Sequence, residues 1–211
     1  MKHLPDFKVC HSSELEFQRV IQTVDNIDWF IEMGYSKTLK WPEGLSSENA
    51  HEIDKEELEE LISKEYRDNL DRYERSASEL TDILRKTLNN LEEDVPFLSL
   101  YRLVPTRYRT GGSYHPPDTV VVNIEVRDKE ELLRVVIHEM IHLIIHPQIE
   151  RYSIPHMQKE HLVDLIFEKI MPDIAVRQKL NADTNRVDSA FNTYYPDLDK
   201  LIESLSFENR S

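Results

Sequence analysis

Apolar residues in the first part of the chain recur at the spacing of a helix face. Phe17, Val20, Ile21, Val24, Ile27 and Ile31 predict one helix, with Ser13 and Glu16 as a capping box at its start and Gly34 as its stop. Residues 35–49 hold Trp41-Pro42-Glu43-Gly44 and read as a loop. A second helical signal opens at Asp54 and Glu57 and runs to Leu91 without Gly or Pro. Leu58, Leu61, Ile62, Tyr66, Leu70, Tyr73, Ala77, Leu80, Leu84 and Leu88 keep the rhythm. That predicts either one helix of about 55 Å or two with a break near Arg72–Ser76.

The pattern changes character at residues 94–96. Phe97 to Val104 alternates and is rich in β-formers, which predicts a strand, and Thr119 to Ile124 predicts another. Between them, Pro105 to Pro117 carries Gly111-Gly112 and Pro116-Pro117 and reads as a long loop. Asp128, with Glu131 three residues on, predicts the cap of a helix whose apolar run Leu132–Ile145 marks it as buried, and Pro147 as its end. Beyond Ser153-Ile154-Pro155 a helix is expected from about His156 to Ile170, closed by Pro172. Shorter helices are expected near 173–180, near 186–191 and over Asp197–Ser206. The fold class is therefore α+β. The expectation is a helical N-terminal region over residues 1–94, covering or regulating the rest, and a second domain over 95–211.

Composition narrows the function classes. The net charge of −14 over 211 residues argues against a nucleic-acid or anionic-membrane partner, because phosphate binding needs a basic footprint. The longest apolar run contains Arg134, His138, Glu139 and His142 and is no membrane span. A single cysteine, Cys10, excludes an intramolecular disulfide and fits a reducing compartment. Beside His11 it could act as a latency thiolate, though a packing cysteine is the plainer reading. No apolar leader follows Met1, so the expectation is a soluble, cytoplasmic protein.

The chemistry lies in His138-Glu139-Met140-Ile141-His142, an H-E-x-x-H sequence within the buried helix. Residues four apart share a helix face about 6 Å apart along the axis, so both imidazoles can reach one zinc ion. Glu139 flanks the metal without binding it and is placed to act as a general base. A catalytic zinc keeps three protein ligands, so a third is needed. His146 lies about 12 Å along the axis from His138 and is too far. Glu160, on the following helix, is the best candidate, with His156, His161 and Glu150 as alternatives. Asp164, one turn on from Glu160, could accept the outer N–H of a ligating histidine.

Together His138, Glu139, His142, Glu160 and Asp164 resemble the gluzincins, the thermolysin-like branch of the zincin metallopeptidases. The resemblance covers about residues 97–171. It implies a zincin-like module of small sheet, active-site helix and glutamate helix, one catalytic Zn2+, and hydrolysis of a peptide or protein substrate. It also implies a strand at the cleft rim that pairs with the substrate, a place that Thr119–Ile124 would fill. Two features depart from the family pattern. Lys159 stands where Asn often precedes the glutamate, and the residue that steadies the tetrahedral intermediate is left open among Tyr152, His156, Tyr194 and Tyr195. The competing readings are a non-catalytic zinc-binding regulatory or interaction protein that keeps the fold, and a helical interaction protein in which the motif is accidental.

Overall fold

A four-stranded mixed sheet divides the helices into two layers. The computed structural model describes residues 4–32, 34–91, 95–125, 128–178 and 184–206. In chain order the elements are β1 (Asp6–Val9), α1 (Ser13–Asp25), α2 (Ile27–Glu32), α3 (Lys55–Asp68), α4 (Leu70–Asn89), β2 (Leu100–Thr106), β3 (Gly112–His115), β4 (Thr119–Asn123), α5 (Lys129–Tyr152), α6 (His156–Ile170), α7 (Asn185–Tyr194) and α8 (Leu198–Ser206). The class is α+β. The strand order is β1-β2-β4-β3, with β3 antiparallel to β4 and the other pairs parallel.

Alternation along the strands decides which layer each side chain joins. Leu103, Val120 and Val122 enter the main core with α4, α5, α6, α7 and α8. Val104, Thr119 and Val121 face the other way, toward α1. A smaller cluster of Val20, Leu58, Ile62 and Tyr108 ties α1 to α3 on that side. Residues on both sides of position 94 meet in the sheet and core: β1 pairs with β2, and Leu80, Leu84 and Leu88 pack with Tyr101.

Several expected boundaries move. The cap of α1 is Ser12, whose side chain accepts from the Leu15 N–H, not Ser13. Glu16 is withdrawn from any capping role and buried: it accepts from Tyr73 Oη, from Thr106 Oγ1 at 2.5 Å and from the Arg107 N–H at 2.9 Å. The long helical signal is two helices, and the break falls at Asn69 rather than Arg72–Ser76. There the Asn69 amide donates to the Glu65 carbonyl, competing with the helix backbone. Of the composition shift at residues 94–96, Asp94 lies outside the described residues.

β2 continues through Pro105 to Thr106. Its pairing with β1 ends at Leu103, so beyond that point the missing proline N–H faces no partner strand. The stretch read as a loop from Pro105 to Pro117 contains β3, whose four residues are too few to show an alternating pattern. Pro147 does not end α5. The helix runs on to Tyr152 because Ile149 is buried in the same core, and Ser153 closes it with φ 52°. No helix forms over 173–178, where a turn gives way to irregular chain; the rest of that expected helix lies outside the described residues. Among the described residues, no helix is long and apolar enough to cross a membrane.

Candidate metal centre

α5 is apolar on most of its circumference and lies at the centre of the structure, against β3, β4, α4, α6 and α8. Asp128 accepts from the Glu131 N–H at 2.8 Å and fixes where its first turn begins. That phase places His138 and His142 on the face toward α6, which is itself held by buried Leu162, Val163, Leu165, Ile166 and Phe167. Opposite them α6 presents Glu160. The His138 and His142 Nε2 atoms are 3.1 Å apart, and Glu160 Oε2 lies 3.5 Å from the first and 3.3 Å from the second.

Three ligand atoms held about 2.0–2.1 Å from one tetrahedral ion would be about 3.3 Å apart. The observed triangle has that size, and its two imidazoles and one carboxylate are a donor set suited to zinc and its first-row neighbours. His138, His142 and Glu160 could therefore hold one metal ion between them. Burial pushes His142 down to about 4, so it is neutral and its lone pair is free near pH 7. Against the burial that would raise it, the two histidines hold Glu160 well below the usual carboxylate range. For His138, burial is outweighed by the Glu160 hydrogen bond and the nearby acidic charges, and its pKa is raised.

A further layer of side chains aims these groups. Glu160 Oε1 is 3.1 Å from Lys159 Nζ and 3.5 Å from His156 Nδ1, leaving Oε2 for the histidines. Lys159 also donates to Tyr114 Oη at 3.3 Å, and the Tyr114 ring stacks on His142 at 4.7 Å. Asp164 Oδ1 is 3.8 Å from His138 Nδ1, longer than a hydrogen bond, while its Oδ2 accepts the Gln178 N–H at 2.8 Å. Gln178 Nε2 reaches Glu160 Oε2 at 3.3 Å.

Glu139 lies beside the cluster and points to the cleft between α5 and β3. Burial pushes its carboxyl up to about 7; the His138 charge opposes that shift and the Glu160 charge adds to it. The cleft itself is lined by Gly112, Val135, His138, Glu139, Asp164 and Gln178, among others. β4 cannot be the rim strand that pairs with a substrate, because β2 and β3 occupy both its edges. Among the described residues, the strand with a free edge at the cleft is β3.

The other candidates are dispersed. His146 stays out of the cluster and meets the edge of Tyr114 at 5.8 Å. His161 turns away to Asp188 at 3.0 Å, and Glu150 is exposed. Tyr152 packs against the core, Tyr195 stacks on Phe191 and Tyr194 is exposed. Cys10 extends β1 by donating its N–H to the Leu103 carbonyl, at the sheet edge opposite β3. Tyr114, Lys159 as a positioning cation, and Gln178 are the site residues that sequence reasoning missed. The only signal for Tyr114 was its place after Gly111-Gly112 in a stretch that read as a loop. Compared with known proteins, the chain matches no protein-family description, no curated protein and no solved structure.

Proposed function

We propose that this chain is a zinc-dependent metallopeptidase with a zincin-like, gluzincin-type catalytic module. The observation that carries the reading is the convergence of His138, His142 and Glu160 from two helices on one point, with Glu139 beside that point and not part of it. His138, His142 and Glu160 would hold the ion. Bound there, zinc supplies Lewis acidity, bringing the pKa of a water toward neutrality and polarising a scissile carbonyl.

The chain's own residues do the rest. β3 offers its free backbone edge to an extended peptide, which fixes the peptide's direction and register. Glu139 accepts the proton of the attacking water and returns it to the leaving amine. A carboxyl held near 7 is suited to both transfers at neutral pH. Lys159 and His156 engage Glu160 Oε1 and keep its other oxygen directed at the histidines. Tyr114 holds the His142 ring in plane by stacking.

The alternative is a non-catalytic zinc-binding regulatory protein of the same fold. Glu139 weighs against it, because a site that only holds metal has no use for a base there. The test is Glu139→Gln beside the wild type on a peptide library. Under the peptidase reading the variant keeps its metal and loses about 100-fold or more in turnover. Activity in neither protein would favour the alternative, and equal activity in both would remove Glu139 from the role of base.

A further inference from the structure

Arg19 is the charged group that neither the fold nor the metal centre accounts for. It is only 4% exposed, and it projects from α1 onto the sheet face opposite α5. Its Nη1 donates to Ser113 Oγ on β3 at 2.7 Å. Its Nε and Nη2 are buried and, among the described residues, have no hydrogen-bond partner. Those two nitrogens form one edge of the guanidinium, the edge that matches both oxygens of a carboxylate side-on.

Among the described residues, no carboxylate fills that place. Glu16, one turn earlier on α1, has its oxygens engaged by Tyr73, Thr106 and Arg107. Glu139 acts on Arg19 only at a distance, from the α5 side of the sheet. Among the described residues Arg19 makes no ion pair, in a chain whose net charge is −14. Burial, then the neighbouring Arg109 charge, lowers the guanidinium to about 9. A buried and half-paired cation is unfavourable unless an anion completes it.

The space beside Arg19 is a cavity of about 220 Å³ between α1 and the sheet. Val104, Pro105 and Val121 give it apolar walls, and exposed Gln18, Gln22 and His115 stand at its rim. His115 lies on the free-edge strand and its Nε2 is 3.4 Å from Ser113 Oγ. The guanidinium edge is buried, so a ligand reaches it only if side chains lining the cavity move aside. The flexible, exposed Gln18 and Gln22 are free to do so.

From this geometry we infer that the cavity is a carboxylate-binding site, in which Arg19 Nε and Nη2 take the two oxygens and the apolar walls take the attached carbon chain. Its role as a specificity subsite rests on the peptidase reading. A peptide added along β3 alternates its side chains between the α5 face, with the metal ligands, and the α1 face, with this cavity. A residue next to the one at the metal centre would thus present its carboxylate to Arg19. The carboxylate could be an acidic side chain or the peptide's own C-terminus.

The test is binding, without hydrolysis. Full-length, metal-free protein labelled with 15N at histidine is titrated with N-acetylglutamate α-amide, with N-acetylalanine and with N-acetylglutamine α-amide, following the His115 imidazole signals by NMR. His115→Gln assigns those signals. A saturable shift with one or both carboxylates and none with the neutral amide is expected, and the responding compound names the source. Arg19→Gln should weaken that binding roughly 10- to 100-fold. If Arg19→Gln does not fold, the wild-type titration alone decides. No saturable response, or an equal response to the neutral amide, overturns the site. Carboxylate binding by a protein that cleaves no peptide would sink the peptidase reading and leave this site standing.

Discussion

Gly112 on β3 faces Glu139 on α5 so closely that a methyl group on Gly112 would lie 2.9 Å from the Glu139 Oε1 and 2.6 Å from Val135 Cγ1. The strand can approach α5 so closely only because that position carries no side chain. Gly112→Ala should therefore displace Glu139 and Val135, at an overpacking cost of about 1–3 kcal/mol. The expected result is a sharp loss of peptide hydrolysis with metal content retained, read by activity assay and metal analysis on the same preparation. Unchanged activity would mean that Glu139 is not held against β3 in the working protein.

Asp164 backs His138 from the side away from the ligand triangle, at 3.8 Å from Nδ1. Its charge favours the tautomer with a proton on Nδ1 and a free Nε2. Asp164→Asn should weaken metal affinity by about 10- to 100-fold without abolishing binding. Competition against a calibrated chelator measures this, and an unchanged affinity would remove Asp164 from the support of the site.

Glu16 gives the fold a pH dependence of predictable sign. Burial raises its folded pKa above the ordinary 4.5, although bonds from Thr106, Tyr73 and Arg107 and the Arg19 charge oppose the shift. The folded state then holds this proton more tightly than the unfolded chain does. Stability falls as pH rises from 4.5 through the folded value, because ionisation costs more in the core than in water. Glu16→Gln should flatten that slope. Urea denaturation of metal-free wild type and variant at stepped pH should show their difference shifting in favour of the variant as pH rises. A pH-independent difference would contradict the burial argument.

Much of the site was legible in the sequence because its parts follow local rules. Asp128 and Glu131 fix the start of α5, the four-residue spacing fixes the histidine face, and the stripe of α6 fixes where Glu160 points. What was not legible depends on pairing across the sheet. β3 has four residues, opens on a glycine and is a strand only because β4 lies beside it, so Tyr114 went unseen. Pro147 misled for the reverse reason: a local helix-breaking preference of about 3 kcal/mol yields to core burial of Ile149. Glu16 looked like half of a capping box until Tyr73 and Thr106, far along the chain, were seen to claim its carboxylate.

Whether Glu160 joins His138 and His142 on one ion is decided by metal stoichiometry. Wild type and Glu160→Ala, each reconstituted with zinc and desalted against a weak chelator, are compared by elemental analysis, with circular dichroism to show that both are folded. About one zinc per wild-type chain and little or none in the variant are expected, since two histidines alone hold zinc weakly. A folded Glu160→Ala protein that keeps stoichiometric zinc, or a wild type that binds none, would contradict the three-residue site.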